Sequence, residues 1–493
     1  MDASPLMLRP EATISEAMHH LENSKFKICL VVNKSGILQR TVSDGDIRRG
    51  ILKNLDLTEV VTRLPGRTPV TAHSDMSEDQ QLEIMEQEGV QFLIVVDKNR
   101  KVQGIRSITE LADNILLSSP HIGINESLYV KQAFDTNWIA PIGPNINLFE
   151  ERLKLLSGRA NVVAVSSGTA GLHLALKALN LPEGSNIYVS DKTFIASVQP
   201  ILYERMVPTF IDCEPETWNM SPEALGRRLK HDKSFGELPK AIILTHLYGQ
   251  PAKLDKIMEI ADYYGIPLIE DASESLGASY KNNASGSHGL ISVFSFNGNK
   301  IITTSAGGAV LTDDERLSDR VRLLATQGRE DADHYQHSHV AYNYRMSNIL
   351  AGVGLGQLEV LSDRVVRRRE IYSHYKRVLQ NFGGIKFQEE SADSLGNRWL
   401  SVISLDPNYF TIHPYQLMRQ LNGRGVEVRP SFKPMHMQPL LTNYSLEPHS
   451  PNEVISSKLF LQSICLPSGS NITQRQQDRI LANLVDILDS EIS

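Results

Sequence analysis

The chain has 493 residues, too many for one ordinary hydrophobic core, so we expect two or three domains. Its hydrophobic fraction of 41% and charged fraction of 22% are those of an ordinary globular protein. With 50 Lys and Arg against 57 Asp and Glu, the net charge of −7 argues against nucleic acid as the main partner, but it leaves room for a local anion site.

The cysteines and the N-terminus indicate the compartment. Cys29, Cys213 and Cys465 are far apart and show no CxxC spacing, so the sequence favours neither a disulfide framework nor a metal site. The first residues lack the basic and apolar segments of a secretory signal, and no apolar run approaches membrane-spanning length. We therefore expect a cytoplasmic protein with no membrane partner.

A repeated pattern occupies the first part of the chain. Residues 14–52 and 75–111 each read as helix, apolar strand, turn, strand and helix, with ICLVVN and QFLIVVD as the first strands. Each unit alone has too little core to be stable, so we expect the two to pack together.

These repeats resemble a tandem CBS pair, which we place at residues 1–118 as a regulatory region. In that family a Ser or Thr followed three residues later by Asp can bind an adenine nucleotide. The first repeat offers Ser43 and Asp46, and the second offers only Ser107 and Glu110. The resemblance allows a nucleotide effector at Ser43 and Asp46. The equally simple alternative is that these two residues cap a helix.

Beyond the repeats, the pattern predicts an α/β protein. Residues 119–137 read as a linker and a first helix. Over residues 138–372, short apolar strands such as NVVAVSS, KAIILTH and PLIED alternate with helices, which predicts a mostly parallel sheet covered on both faces. Residues 373–493 predict a smaller α+β domain at the C-terminus.

A lysine and a small-residue turn are the first candidates for chemistry. Lys300 follows the strand-like run SVFSF among apolar and small residues, a setting that favours Schiff-base chemistry with an aldehyde cofactor. Ser167, Gly168 and Thr169 lie between a strand and a helix, where free backbone N–H groups bind phosphate. Each feature alone has an ordinary explanation, a solvated charge or a helix cap, so their combination carries the prediction.

Four more residues complete the candidate site. Asp271 ends the strand PLIED, where a carboxylate can pair with a protonated pyridine nitrogen, and His246 ends KAIILTH and faces the same edge of the sheet. Ser295 precedes Lys300 closely enough to share a phosphate, and Phe194 can cover an aromatic ring. The alternatives are a helix cap for Asp271 and structural roles for His246 and Phe194.

In this order the motifs SSGTAGLHLAL, IEDASESLGA, SFNGNKIITTS and YNYRMSNILAGVGLGQLE resemble the DegT/StrS family of nucleotide-sugar aminotransferases, from about residue 126 to the C-terminus. The resemblance implies PLP fold type I, the fold of aspartate aminotransferase, with pyridoxal 5'-phosphate as cofactor. It implies that Lys300 binds the cofactor covalently and moves protons, that Asp271 pairs with the ring nitrogen, and that Phe194 stacks on the ring.

The resemblance also assigns the remaining cofactor contacts and a partner. The turn from Ser167 to Thr169, together with Ser295, would hold the phosphate. Glu274 stands near the cofactor's 3-oxygen, where many relatives have Gln or His. Asn343 matches a residue that reaches the phosphate of the neighbouring subunit's cofactor, which implies a homodimer or a higher homo-oligomer.

Three stretches narrow the range of expected substrates. They are similar to the subgroup that aminates C4 of UDP-4-keto-6-deoxy-N-acetylglucosamine, with L-glutamate as donor: DTNWIAPIGPN, SFNGNKIITTS and VRPSFKPMHMQP. Arg429, Lys433 and His436 are candidate contacts to the diphosphate or sugar, alongside His246, although roughly half of such charges are ordinary surface residues. Ala306 replaces a glycine of the subgroup, and we expect it to alter substrate fit if that turn needs a positive φ.

Other functions stay open at this point. The substrate can be another nucleotide-linked keto-sugar, such as GDP-4-keto-6-deoxymannose or a 3-keto sugar. Dehydratases of the same fold carry His at the lysine position, so Lys300 argues against that activity, and a desulfurase is disfavoured because Cys465 lacks a recognisable reactive loop. A catalytically inert nucleotide sensor built around the CBS pair is the alternative of another class.

Overall fold

The computed structural model describes residues 3–22, 24, 26–66, 68–76, 78–107 and 114–492. The chain forms two compact units, Met1–Asn114 and Ile115–Ser493. We predicted the end of the CBS pair at residue 118; in the structure Ile115 pairs with Val426, and Leu117 is buried in a hydrophobic cluster of the second unit.

The first unit repeats one arrangement. Its described elements are β1 (Met7–Leu8), α1 (Ile14–Glu22), β2 (Ile28–Val32), β3 (Leu38–Ser43), α2 (Asp44–Ile51), β4 (Thr71–His73), α3 (Glu78–Glu88), β5 (Phe92–Val96) and β6 (Val102–Ser107). In the sheets β1-β2-β3 and β4-β5-β6 the first pair is parallel and the second antiparallel. Strands of both sheets share one hydrophobic cluster, so the repeats pack together as predicted. The last helix predicted for the second repeat, with Glu110, lies outside the described residues.

A sheet of eight described strands forms the centre of the second unit. The strands of this unit are β7 (Asn161–Val165), β8 (Asn186–Ser190), β9 (Val207–Ile211), β10 (Ala241–Thr245), β11 (Leu268–Asp271), β12 (Ser279–Tyr280), β13 (Asn283–Ala284), β14 (Ile291–Ser295), β15 (Gly308–Thr312), β16 (Ile385–Phe387), β17 (Ser394–Leu395), β18 (Ser401–Leu405), β19 (Arg429–Pro430), β20 (Leu446–Glu447) and β21 (Ser463–Leu466). The central order is β20-β9-β8-β10-β11-β14-β15-β7. Neighbouring pairs are parallel except the two that involve β15, which confirms the mostly parallel sheet.

Helices cover both faces of this sheet. The helices of the second unit are α4 (Asn125–Asp135), α5 (Pro144–Ser157), α6 (Gly168–Ala178), α7 (Gln199–Tyr203), α8 (Pro222–Ser234), α9 (Leu254–Tyr264), α10 (Glu315–Ala325), α11 (Asn348–Glu359), α12 (Leu361–Leu379), α13 (Pro414–Gly423), α14 (Ile455–Gln462) and α15 (Gln474–Asp489). Along β7, Val163 and Val165 pack in a cluster with α6, whereas Val162 and Ala164 pack in another with α5 and α11. This period of two buries the strand on both sides, as a parallel sheet requires.

The C-terminal part adds the smaller α+β layer that we predicted. Its antiparallel sheet has the order β16-β18-β21-β19 and packs on α12, α13 and α15 through one hydrophobic cluster. Helix α12 runs unbroken through residue 372, where we predicted the division between large and small domains. Within the described ranges, every helix is too short or too polar to cross a membrane.

Candidate active site

The carboxyl ends of the central strands bring the predicted residues to one edge of the sheet. Asp271 ends β11 in register with Thr245 on β10. Ser295 ends β14 and pairs with Gly308, which in turn pairs with Val165 at the end of β7. In open α/β sheets such an edge is where ligands bind, because helix starts and strand-end side chains converge there.

Helix α6 begins at this edge and offers free N–H groups. Ser167 caps the helix, since its Oγ accepts from the Ala170 N–H at 3.0 Å and its carbonyl accepts from the Gly171 N–H at 3.0 Å. Gly168 and Thr169 are the first two helical residues, and N–H groups at these positions have no partner within a helix. With no acidic residue in the first turn, the positive end of the helix dipole is left uncompensated.

The helix start lies tightly against the serines of the neighbouring strands. A Cβ added at Gly168 would lie 2.7 Å from the Ser295 Cβ and 3.2 Å from the Ser273 Oγ. A Cβ added at Gly308 would lie 2.5 Å from the Ser167 carbonyl carbon. Glycine is therefore required at both positions, and the close approach sets two hydroxyls beside the free N–H groups. We missed Ser273 in the sequence, although it follows Asp271 closely.

Asp271 is buried and held in one orientation. Its Oδ2 accepts from the Ser197 Oγ at 2.6 Å, and its Oδ1 accepts from the Ser273 N–H at 3.2 Å. Ser197 also contacts the Thr193 Oγ1 at 2.7 Å. Ser197 follows Phe194 in DKTFIAS, but nothing in that segment indicated that its hydroxyl meets a carboxylate from another strand.

Lys300 points into a confined space. Its side chain is 12% exposed, with Nζ 3.6 Å from the Glu274 Oε1 and 4.1 Å from the centroid of the Trp399 ring. An ammonium group at this distance is attracted by an indole face. Trp399 comes from the start of the small layer, and no local sequence signal pointed to it.

Glu274 joins the two principal groups of the site. Its Oε2 accepts from the Tyr248 N–H at 2.7 Å. Burial raises the pKa of this carboxyl, and the charge of Lys300 partly opposes the rise, while the charge of Asp271 adds to it. Lys300 and Asp271 thus both act on Glu274, so the three groups share one site.

Aromatic rings lie beside this site. Phe194 is 53% exposed, and its ring centroid is 5.8 Å from that of Phe432, which is 5.2 Å from that of Tyr248. The Phe432 N–H donates to the Tyr248 Oη at 2.8 Å, and the Lys192 Nζ donates to the Phe432 carbonyl at 2.9 Å. The exposed ring of Phe194 is compatible with covering a flat ligand, and Phe432 supports it.

The structure corrects the prediction for His246. The residue is fully buried, its Nδ1 accepts from the Ala252 N–H at 3.1 Å, and its Nε2 lies 2.9 Å from the Glu270 Oε1. Because Nδ1 is the acceptor, Nε2 carries the proton and donates to Glu270. With both nitrogens used inside the protein, His246 has no group left for substrate.

The predicted cluster at VRPSFKPMHMQP is also mostly engaged. The ring of His436 contacts the Asp191 Oδ2 at 2.7 Å and the Ser457 Oγ at 3.0 Å, so this residue too is an internal partner rather than a free ligand. The side chain of Arg429 is 66% exposed and pairs with Glu427. Lys433 is half-buried.

Two further predictions concern loops. Asn343 is exposed, between Tyr342 and Tyr344, whose stacked rings lie 4.9 Å apart. In the turn after Lys300 the positive φ of 70° belongs to Ser305, so Ala306 takes an ordinary conformation and the glycine it replaces is not required there.

In the first unit, the residues predicted for a nucleotide bind each other instead. The Asp46 Oδ2 accepts from the Ser43 N–H at 2.9 Å and from the Ser43 Oγ at 2.7 Å, and its Oδ1 accepts from Arg49 at 2.6 Å. This is the helix-capping alternative, and it uses both carboxylate oxygens.

The groups at this edge of the second unit fit a phosphorylated pyridine aldehyde. The N–H groups of Gly168 and Thr169 with the Ser295 and Ser273 hydroxyls form an anion cradle. The carboxylate of Asp271 is oriented for a protonated ring nitrogen, and the amine of Lys300 is confined beside it.

Comparisons with known proteins agree with this site. Residues 120–485 match the DegT/DnrJ/EryC1/StrS aminotransferase family, and residues 1–53 and 60–116 match the CBS domain. EpsN of Bacillus subtilis (strain 168), to which a pyridoxal phosphate-dependent aminotransferase activity is attributed, is 48% identical over 76% of this chain and 95% of its own. GDP-perosamine synthase of Caulobacter vibrioides is 33% identical over 76% of this chain and 98% of its own.

A solved structure shows the same fold. The crystal structure of a DegT/DnrJ/EryC1/StrS aminotransferase from Brucella abortus is 26% identical, covers 74% of this chain and 95% of that chain, and superimposes with a TM-score of 0.68. The chain therefore belongs to the DegT/DnrJ/EryC1/StrS aminotransferase family and is a pyridoxal phosphate-dependent aminotransferase preceded by a CBS domain pair.

Proposed function

We propose that this protein transfers the amino group of L-glutamate to C4 of a nucleotide-linked 4-keto-6-deoxy sugar, with UDP-4-keto-6-deoxy-N-acetylglucosamine as the preferred substrate. The observation that carries the proposal is the confinement of the Lys300 Nζ between Glu274 and Trp399, beside the oriented carboxylate of Asp271 and the anion cradle at Gly168. The three motifs DTNWIAPIGPN, SFNGNKIITTS and VRPSFKPMHMQP support the UDP-linked sugar.

A GDP-linked sugar is the second candidate. It is favoured by GDP-perosamine synthases among the relatives, at 33% identity for the protein of Caulobacter vibrioides and 35% for that of Escherichia coli O157:H7. The two substrates differ in base and sugar, so contacts beyond the cofactor cradle must distinguish them. Arg429 and Lys433 are the charged groups that we propose for the diphosphate, whereas His246 and His436 are no longer proposed.

The residues of the site would each contact a different part of the cofactor. Pyridoxal phosphate, when bound, supplies an aldehyde for covalent attachment and a ring that withdraws electrons from the reacting carbon. Asp271, fixed by Ser197, would keep a proton at the ring nitrogen. The N–H groups of Gly168 and Thr169 would hold the phosphate, together with Ser167, Ser273 and Ser295. Phe194 would cover the ring face.

Lys300 is the group that moves the proton. Its Nζ would remove a proton from the amino donor's carbon in the first half-reaction and would deliver a proton to the sugar carbon in the second. The Trp399 ring and Glu274 restrict where Nζ can lie, which keeps it within reach of both positions. Tyr248 fixes Glu274 in turn through its N–H.

We also propose the organisation around this site. Residues 138–372 form the cofactor-binding domain and residues 373–493 the small domain. Asn343, exposed on one subunit, completes the phosphate site of a second copy in a homodimer. The CBS pair is the regulatory part of the chain, with Ser43 and Asp46 as the candidate nucleotide contacts, although these two side chains bond to each other in this structure.

The visible absorbance of the protein tests the aminotransferase assignment to Lys300. We expect a yellow protein with pyridoxal phosphate that bleaches when L-glutamate is added, and a Lys300→Ala variant that folds but shows neither band nor bleaching. A Lys281→Ala variant, which changes an exposed lysine paired with Asp255, is the matched control and should behave as the wild type. Normal bleaching by the Lys300 variant would refute the assignment.

The substrate is tested by competition. With UDP-4-keto-6-deoxy-N-acetylglucosamine and GDP-4-keto-6-deoxymannose offered to the glutamate-treated protein, we expect the UDP-linked sugar to restore the yellow colour at least about a hundredfold more efficiently. Preference for the GDP-linked sugar would establish the second candidate.

A further inference from the structure

The segment that leaves the regulatory unit is built into the aminotransferase unit. We call residues 115–121 the connecting strap. The Ile115 N–H donates to the Gly425 carbonyl at 2.7 Å, the Glu427 N–H donates to the Ile115 carbonyl at 2.8 Å, and the Ser468 N–H donates to the Leu117 carbonyl at 2.7 Å. The strap begins directly after Asn114, where the first unit ends, so it is the covalent connection between the two units.

Ser118 of the strap reaches the peptide next to the catalytic lysine. Its hydroxyl donates to the carbonyl of Asn299, the residue before Lys300, at 2.8 Å. The Trp399 Nε1 donates to the same carbonyl at 2.7 Å, so both lone pairs of that oxygen are used. Because the Trp399 ring also faces the Lys300 Nζ, the backbone and the side chain of the lysine are held by one group of residues.

A buried arginine links Ser118 to Trp399. Arg368 is 1% exposed, its Nη1 donates to the Trp399 carbonyl, and its Nη2 donates to the Ser118 Oγ at 3.0 Å. Both described acceptors are neutral, and burial, with the like charge of Arg364, lowers the pKa of the guanidinium to about 9. A buried cation without an anionic partner is costly, so packing alone does not account for an arginine here. Holding Ser118 and Trp399 in place does.

We propose that Ser118 is a positioning residue for Lys300, acting with Arg368 and Trp399 through the carbonyl of Asn299. The inference rests on the proposed role of Lys300 in proton transfer. Proton transfer is sensitive to sub-ångström placement of the base, so a hydrogen bond to the preceding peptide affects turnover without touching substrate. The connecting strap thereby makes the placement of Lys300 depend on the chain that leaves the CBS pair.

The test is Ser118→Ala in the full chain with pyridoxal phosphate bound. We expect turnover per bound cofactor to fall about tenfold while the KM for L-glutamate changes little, since the lost bond acts on placement rather than on ground-state binding. Hydrogen exchange of the peptide covering residues 296–303, which contains the Lys300 N–H bonded to the Asn297 carbonyl, should become about tenfold faster. Ser118→Thr keeps the hydroxyl and should restore both values.

Ser119→Ala is the matched control. Ser119 lies one position further along the strap and is half-buried. Its hydroxyl exchanges hydrogen bonds with Asn471 at 2.8 and 3.3 Å, far in sequence from the Lys300 loop. We expect this variant to match the wild type in both turnover and exchange. Equal effects of the two alanine variants would overturn the inference, because they would show only general weakening of the strap.

A second variant, at Trp399, tests the same carbonyl if Ser118→Ala fails to fold. Trp399→Phe keeps an aromatic ring near the Lys300 Nζ but removes the Nε1 bond to Asn299, so exchange at residues 296–303 should rise again. Unchanged exchange in both Ser118→Ala and Trp399→Phe refutes the inference. Exchange reports on the backbone without catalysis, so a failure of the proposed role of Lys300 appears separately, as normal bleaching by Lys300→Ala.

Discussion

Two helix starts in this protein look alike in sequence and differ in what they do. Helix α2 in the first unit and helix α6 in the second unit each follow a strand and begin after a serine in extended conformation, Ser43 and Ser167. Both are therefore typical of anion-binding helix starts. Their structures separate them.

In α2 the helix start is satisfied by its own residues. Asp44 and Asp46 lie in the first turn, so the helix dipole already has negative charge beside it, and Asp46 closes on Ser43 and Arg49. In α6 the first turn has no acidic residue, and Ser167 uses its hydroxyl on Ala170. The N–H groups of α6 are left for a ligand.

The surroundings then decide the function. Ser295, from a strand elsewhere in the chain, lies beside the start of α6, and Asp271 accepts from the N–H of the adjacent Ser273. Among the described residues, the hydrogen bonds of Asp46 are to Ser43 and Arg49 near its own helix turn. A local motif for anion binding becomes a catalytic site when distant residues supply the rest of the chemistry.

Asp271→Asn should have the largest effect. It removes the carboxylate that another strand brings to the site, and the start of α2 has no such group. A neutral amide does not stabilise a proton at the ring nitrogen, so the rate of glutamate-dependent bleaching should fall roughly a thousandfold. Ser197→Ala keeps the carboxylate but frees its Oδ2, and we expect about a tenfold loss. Stopped-flow absorbance measures both, and an Asp271→Asn variant as fast as Ser197→Ala would contradict the assigned role.

A buried carboxylate that joins distant elements makes the stability of the second unit depend on pH. Glu270 ties distant elements together: burial alone would raise its pKa, but hydrogen bonds from His246 and the Gly286 N–H bring it down from 4.5 to about 2. The folded-state pKa is below the unfolded one, so the stabilisation is complete above pH 4.5 and is lost as the pH falls towards 2.

Glu270→Gln should therefore flatten the acid side of the stability curve and cost on the order of 3 kcal/mol at neutral pH. Melting temperatures between pH 7 and pH 3 measure the effect. Glu237→Gln, at an exposed carboxylate, is the control and should leave the slope nearly unchanged. A slope in Glu270→Gln equal to that of the wild type would show that other groups dominate acid unfolding.

An alanine substitution at a glycine in each helix start compares the two sites directly. Gly168→Ala places a Cβ 2.7 Å from that of Ser295, so the cradle must open, and binding of pyridoxal phosphate should weaken by ~2 kcal/mol, or about thirtyfold. Gly45→Ala in α2 places a Cβ 3.4 Å from the flexible end of Arg49 and 3.7 Å from the Ser43 Oγ, both ordinary contacts, and should leave binding of pyridoxal phosphate unchanged. Titration of both apoproteins with the cofactor measures this, and equal affinities would argue against the cradle.

Ser43→Ala should have the smallest effect. The variant loses the cap that Ser43 and Asp46 form, which should destabilise α2 by ~1 kcal/mol and leave aminotransferase turnover at the wild-type level. Hydrogen exchange over residues 44–51 measures the loss, with Ser35→Ala in an exposed turn of the same unit as the control. A nucleotide-binding defect with no change in exchange would instead favour the ligand role that the sequence first suggested.

The local pattern of the sequence predicted the repeats, the mostly parallel sheet and the smaller C-terminal layer, because hydrophobic periodicity records which faces are buried. It also singled out Lys300, Asp271 and the turn at Gly168, since these residues stand at strand ends where the fold collects its functional groups. Each of these features depends on a few neighbouring residues, so it can be recognised without knowing which distant residues they contact.

The tertiary structure decided which polar groups are free. The sequence predicted His246 and His436 as ligands, but Glu270 on β11 and Asp191 just after β8 contact their ring nitrogens. Trp399 carried no signal and yet lies over the Lys300 Nζ. Ser118 was assigned to the regulatory region and instead holds the peptide before that lysine. A hydrogen bond between residues hundreds of positions apart depends on how the chain folds back on itself, and no local pattern records it.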